Sequence, residues 1–443
     1  MQTHPHNSRL FRRQILLLAL LVTGYSGFYL CRSNFSATLP LLRADLVKSG
    51  FDPDAAKVRL GVVASFGILA YALGKFVGGA LTDRLGGRGA FLGSMFGSVL
   101  FTLLFAASGT LPLFTLAWIS NRFVQSFGWP GMVKLCGRWF SFARYGTVMG
   151  LVSLSYLFGD AAARLFLGWL IGMGLSWSGV FVVSGVVLSA IFVACLVGLR
   201  ETPRNLGMAE PSANPLNVYG HEGERADAVG LFALLTPLVR SRSFWYVCLL
   251  SIGCTQLREV FNNWTPTFFT EGLELAPATA AAASSVFSFF GGVSVLLAGY
   301  GSDRLGRTGR AQIITVGLAL AALVLLLLGS AGGSRSTFVA VALVGLVAVL
   351  VIGPYSYLAG ALSLDFGGKR GAATACGIID GVGYLGAGWA VDHVGRVSVT
   401  LGWAGAFRAL AGVALLSSLV GVLFWLEQRS KASLEPTCKS PTS

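Results

Sequence analysis

Two stretches, GGALTDRLGGRG at residues 78–89 and LAGYGSDRLGRTGR at residues 297–310, carry one motif twice. Asp83-Arg84-Leu85-Gly86 in the first returns as Asp303-Arg304-Leu305-Gly306 in the second. Other landmarks recur at nearly the same offset. Trp177 and Phe181 return as Trp403 and Phe407, and Pro130 returns as Pro354. A near-constant offset means that one unit has been duplicated.

Composition says what kind of unit it is. Of 443 residues, 54% are hydrophobic and only 12% charged, and the mean hydropathy is +0.71. A soluble domain of this length needs a far more polar surface, so the chain is read as an all-α polytopic membrane protein. A strand-built barrel does not fit, because the apolar runs are continuous and about 20 residues long instead of alternating. Fifty-eight glycines suit the close helix packing of membrane bundles. Seven cysteines show no CxxC spacing and sit mostly inside apolar runs, which argues against a disulfide framework or a zinc site. Arg9, Arg12 and Arg13 precede an apolar run as in a secretory signal. That run continues past Arg32 without a convincing cleavage site, so it is read as an uncleaved first span.

Twelve spans are predicted. The first six cover 14–46, 58–81, 89–108, 111–137, 147–170 and 176–199; the second six cover 243–270, 278–299, 311–330, 336–361, 371–392 and 403–426. This gives a six-helix bundle at 1–199, a polar, proline-bearing linker at 200–242, a second bundle at 243–426 and a tail at 427–443. The net charge of +14 lies mainly in short loops on one side, at Arg84, Arg88, Arg138, Arg144, Arg304, Arg310, Lys369 and Arg370. That distribution excludes a nucleic-acid role and predicts a cytoplasmic side that holds both termini.

The duplication bears on one residue above all. Arg32, in GYSGFYLCRSNFSATLP at 24–40, lies deep in the first span, where an arginine costs about 2.5–3.5 kcal/mol and usually faces a polar cavity. Its counterpart, at the offset that separates Trp177 from Trp403, is Arg258, near the middle of the seventh span. Two arginines at equivalent depths suggest a clamp for one anion at the interface of the halves. Glu259 could instead pair with Arg258, but neighbours in a helix point about 100° apart, which disfavours it. Tyr25, Tyr29 and Arg32 stand at i, i+4 and i+7 and so share a face.

The doubled DRLG loop resembles the signature of the major facilitator superfamily. GYSGFYLCRSNF at 24–35, AYALGKFVGGALTDR at 70–84, QSFGWPG at 125–131, ETPRNLG at 201–207, QLREVFNNWTPTFF at 256–269, GYLGAG at 383–388 and GWAGAF at 402–407 are similar to the organophosphate:phosphate antiporters. The resemblance implies the major facilitator fold, with two pseudo-symmetric six-helix halves, and alternating-access exchange of a phosphorylated organic anion for inorganic phosphate. It implies no cofactor. The protein is expected as a monomer in a bacterial inner membrane. By resemblance, Arg32 and Arg258 bind phosphate, and Tyr25, Tyr29, Lys75 and Tyr384 line the substrate site. By the same resemblance, Ser33 stands where family members frequently carry lysine and Ser155 where the glycerol-3-phosphate carriers have a histidine, which removes positive charge from the neighbourhood.

The remaining internal charges are gating or coupling candidates. Asp160 and Arg164 have intrahelical pair spacing. Asp380 is either a proton-coupling acid or the partner of an internal cation. Lys75 either meets substrate or snorkels to the surface. Asp83, Arg84, Asp303 and Arg304 are expected to hold the cytoplasmic side closed by capping and bridging helices. A transporter-like sensor is the rival reading, and a phosphonate or other organic anion the rival cargo. An enzyme is disfavoured, since no nucleophile–base set or metal-ligand cluster is present and none of the four histidines lies in a span.

Overall fold

A computed structural model describes residues 5–433, apart from 213, 216, 225–229, 276, 306–307 and 331–335; for some others, Arg164 and Asp303 among them, it describes the backbone alone. Every regular element among the described residues is helical. The first predicted span comprises α1 (Pro5–Ala37) and α2 (Leu39–Lys48). They part at Thr38, because Pro40 lacks the amide that would continue the ladder. After α3 (Pro53–Leu85) and α4 (Gly87–Ala107), the fourth span is again two helices, α5 (Leu111–Gln125) and α6 (Gly128–Trp139), broken just ahead of Pro130. Helices α7 (Tyr145–Gly172) and α8 (Trp177–Gly198) complete the first six spans.

The predicted linker is more ordered than its polarity suggests. It holds α9 (Leu231–Arg240), whose Leu234 and Leu238 are buried. It is also tied to segment 365–370: the Val218 amide donates to the Phe366 carbonyl at 2.9 Å, the Asn214 amide to Asp365 at 3.1 Å, Glu210 pairs with Lys369 at 3.4 Å, and Glu222 pairs with Arg370. Burial lifts the Tyr219 phenol above its ordinary range, and nearby Asp83 adds to the shift. The hydroxyl therefore keeps its proton and donates to the Leu234 carbonyl at 2.6 Å.

The second six spans are α10 (Arg242–Glu271), α11 (Pro277–Arg304), α12 (Gly309–Ser330), α13 (Thr337–Tyr357), α14 (Ser363–Thr400) and α15 (Gly402–Ser433). A π-helical turn at Leu358–Leu362 joins α13 to α14. Gly368, at φ 54°, breaks α14, so its first residues prolong the tenth span and the eleventh starts beyond Gly371. Helix α15 carries the chain on into the predicted tail, as far as Ser433; 434–443 lie outside the described residues.

All twelve predicted spans thus have their helices. Eight stretches among the described residues are long and apolar enough to cross a membrane, one of them, Thr337–Ser398, covering two spans. The fourth span is divided between α5 and α6, each too short to cross alone, and α10 carries Arg258, Glu259, Asn262 and Asn263.

The chain folds as two compact units, Met1–Leu238 with Ala359–Leu385, and Val239–Leu358 with Gly386–Ser443. In the first unit α1 packs on α7 and α8, α4 on α5 and α8, and α3 on α5. In the second, α10 packs on α15, α12 on α13 and α15, and α11 on α13. Four of these pairings correspond between the units, so the repeat read from the DRLG loops is a repeat of packing as well. The loops are pinned individually. Glu201 of the ETPRNLG stretch accepts from the amides of Gly87 and Arg88 at 2.9 and 2.7 Å and so caps α4, where a carboxylate also meets the positive end of the helix dipole.

Candidate functional site

The site in the first unit is organised by α3. Tyr71, Lys75 and Gly79 stand four residues apart and share one face. Glycines also let α5 approach: a Cβ at Gly67 would collide with Trp118, and one at Gly74 with Ser126 and the Phe123 carbonyl. On the Gly79 side the partner is α14. A Cβ there would lie 2.6 Å from the Ala373 carbonyl oxygen, and one at Gly377 would strike the Lys75 carbonyl. These two glycine contacts bring Lys75 to Asp380 and Tyr71 to Tyr384.

Around the Tyr71 ring three cations converge. The guanidinium groups of Arg32 and Arg122 lie 4.6 and 4.5 Å from its centroid, and the Lys75 ammonium 4.8 Å. Lys75 is 1% exposed and pairs with the Asp380 carboxylate at 2.6 Å. It therefore does not snorkel, and Asp380 is the partner of an internal cation. Arg32 has no such answer. Its Nη1 donates to the Tyr29 hydroxyl and its Nε to Gln125 Oε1, both at 3.3 Å, while Nη2 is buried with no hydrogen-bond partner among the described residues.

Arg122 makes one long hydrogen bond, from Nη1 to the same Gln125 Oε1 at 3.4 Å. The Gln125 amide is held in that orientation by its nitrogen, which donates to Ser98 Oγ and Asn121 Oδ1, each at 2.9 Å. Neither arginine forms an ion pair with a carboxylate among the described residues. Cation–π contacts contribute about 0.5–2 kcal/mol each, whereas removing an ion from water costs several kcal/mol. The deficit leaves a site in which a bound anion would be strongly stabilised.

The predicted aromatic residues gather there too. Tyr25 stands edge-on to Tyr29 at 6.1 Å and to Trp129 at 5.4 Å, and Tyr384 edge-on to Tyr71 at 5.4 Å. Arg32, Tyr25, Tyr29, Lys75, Tyr384 and Asp380 therefore belong to one cluster in the first unit. Ser33 faces elsewhere, donating to Asp160 at 2.6 Å. Ser155 donates to its own helix at Val152. The side chain of Arg164, expected beside Asp160, lies outside the described residues.

Asp83 lies at the start of the second part of α14. Its carboxylate accepts from the Thr374 amide at 2.6 Å and the Ala373 amide at 3.3 Å, just after the break in α14, and from Lys134 at 2.8 Å. The bridging cation is thus Lys134, whereas Arg84 is exposed. Of the corresponding pair in the second unit, Arg304 is exposed and lies over the Tyr300 ring at 4.4 Å, and the Asp303 side chain lies outside the described residues.

In the second unit Arg258 donates to the Tyr355 hydroxyl at 2.7 Å, with its guanidinium 4.6 Å from that ring. It also pairs with Glu259 at 3.3 Å, contrary to the expectation from helix geometry. The angle between neighbouring Cβ directions does not keep two long, flexible side chains apart.

Sequence reasoning missed Tyr71, Arg122, Gln125, Lys134 and Tyr355. Arg122 had the signal that marked Arg32, an arginine inside an apolar span; Tyr71 is one turn from Lys75. Gln125 and Tyr355 had none, because their importance comes from what other helices bring to them.

The chain resembles several curated proteins along most of its length. It is 28% identical over 416 residues to a probable hexose phosphate transport protein of Chlamydia trachomatis, covering 91% of this chain and 89% of that one. It is 25% identical to the glycerol-3-phosphate transporter of Bacillus subtilis, covering 91% and 90%. To the membrane sensor protein UhpC of Escherichia coli it is 28% identical, covering 93% and 92%. Among solved structures, the outward conformation of FucP matches with a TM-score of 0.71 at 15% identity, covering 94% of this chain and 99% of that one, a likeness of fold. The Major Facilitator Superfamily profile matches residues 21–391, and the chain is an integral, multi-pass member of that superfamily.

Proposed function

We propose that the protein exchanges a phosphorylated organic anion for inorganic phosphate by alternating access. The observation that carries this is Arg32, whose guanidinium has a buried nitrogen without a partner among the described residues and no carboxylate to neutralise it. The reading is supported by relatives named as hexose phosphate and glycerol-3-phosphate transporters. Arg258 is assigned, from its place in the repeat, as the second arginine for the same anion, with Glu259 as the internal ion that the anion displaces. Tyr25, Tyr29 and Tyr384 supply hydroxyl donors, and Lys75 borders the anion while it stays paired with Asp380.

Loading neutralises like charges, and the six-helix halves reorient readily only when loaded, which yields exchange in place of net flux. Asp83 and Lys134 hold the cytoplasmic side closed in one state, and Asp303 is assigned the equivalent role. The protein acts as a monomer in a bacterial inner membrane with both termini in the cytoplasm. A sensor is the second reading, favoured by the match to UhpC. Proteoliposomes loaded with inorganic phosphate separate the two. The proposal expects saturable uptake of labelled sugar phosphate that depends on internal phosphate; ligand-induced stabilisation of the purified protein without any flux would select the sensor.

A further inference from the structure

We infer that Arg122 is a further guanidinium donor to the anion held by Arg32, and that these two arginines of the first unit together select a doubly charged head group over a singly charged one. The inference rests on the anion-binding reading of the site and adds to it a residue and a rule of specificity. Its basis is the arrangement around Tyr71 and Gln125. Both guanidinium groups lie over the same ring, at 4.6 and 4.5 Å, and both donate to the same amide oxygen, at 3.3 and 3.4 Å. Two like charges gathered on one neutral acceptor repel each other. An anion between them removes that repulsion.

The accounting of charge is specific. The groups that face the pair are Tyr29 from α1, Tyr71 and Lys75 from α3, Gln125 from α5, and Asp380 and Tyr384 from α14. Asp380 is committed to Lys75 at 2.6 Å. What is left within the first unit is one uncompensated charge on Arg32 and one on Arg122, which a phosphate or phosphonate dianion balances and a carboxylate or sulfate ester does not.

A purely structural role for Arg122 fits poorly. Arg88 shows what such a role looks like in this chain: its guanidinium donates to the carbonyls of Leu199 and Leu196 at 2.9 and 2.8 Å. Arg122 lies over the Tyr71 and Trp118 rings but makes only the 3.4 Å hydrogen bond among the described residues, although its planar fork can present several donors to a tetrahedral head group.

Methyl phosphate and methyl sulfate make the test, because they are nearly isosteric and differ by one charge at pH 8, well above a phosphate second pKa of about 6. Binding of each to the purified full-length protein is measured by calorimetry for wild type, Arg122→Gln and Arg122→Lys. Wild type is expected to prefer methyl phosphate. Arg122→Gln is expected to weaken methyl phosphate by about tenfold or more while leaving methyl sulfate nearly unchanged. An Arg122→Gln variant that folds and keeps both the wild-type affinity and the wild-type preference overturns the inference but leaves the anion site standing. Wild type that binds neither methyl phosphate nor inorganic phosphate overturns both. If Arg122→Gln does not fold, Arg122→Lys decides: it keeps the charge but loses the fork, so methyl phosphate should weaken several-fold with its preference retained, and unchanged affinity overturns the inference.

Discussion

Asp380 determines how the charge of the site is distributed. By holding Lys75 it converts one of three cations around Tyr71 into half of a buried pair, and it leaves the arginines for the ligand. Removing one partner of such a pair leaves an unpaired charge away from water, which costs about 3–5 kcal/mol, whereas replacing both by apolar groups is often neutral. Asp380→Asn should therefore lower the thermal unfolding midpoint in detergent markedly, and Lys75→Met combined with Asp380→Leu should restore most of it. If Asp380→Asn unfolds at the wild-type temperature, the pair does not carry the internal charge balance described here. Of the sequence-predicted residues, the charged ones in apolar spans were legible because a charge there is expensive. The pairing of Arg258 with Glu259 was not, because side-chain reach depends on rotamers that spacing does not encode.

At the scale of elements, the contact between α3 and α14 sets the site's dimensions. Gly79 and Gly377 meet without room for a methyl group, and from there Lys75 lies one turn back along α3 and Asp380 one turn on along α14. Gly377→Val should force the helices apart, at about 1–3 kcal/mol or more for overpacking, and weaken phosphate binding with it. Gly388→Val, on the same helix but with nothing within 4 Å of its Cβ, should be near neutral in both measurements. Equal effects of the two substitutions would mean that the helix contact does not position the charges. Within the predicted spans helix existence was readable from apolar runs and turn residues, whereas α9 in the linker was not. The breaks at Thr38, near Pro130 and at Gly368 were not drawn in advance, since a proline or glycine marks a possible interruption and the surrounding packing decides whether the chain uses it.

For the whole molecule, duplication was the most legible feature, because it stands in the sequence as matched landmarks and in the structure as matched packing within each unit. The linker was the least legible. Its polar composition reads as a spacer, yet its acids and amides are spent on segment 365–370. The positive charge absent at Ser33 and Ser155 has a counterpart in Arg122, so counting charge at family positions alone underestimates what the site offers an anion. Phosphate self-exchange tests the central claim most directly, measured as labelled phosphate entering phosphate-loaded proteoliposomes that contain wild type or Arg32→Gln. Truncating a buried charge that holds its ligand costs about 2–5 kcal/mol, so rapid exchange by wild type and a loss of roughly 100-fold in the variant are predicted. Exchange by Arg32→Gln at close to the wild-type rate would contradict the assignment of Arg32 as the residue that holds the anion.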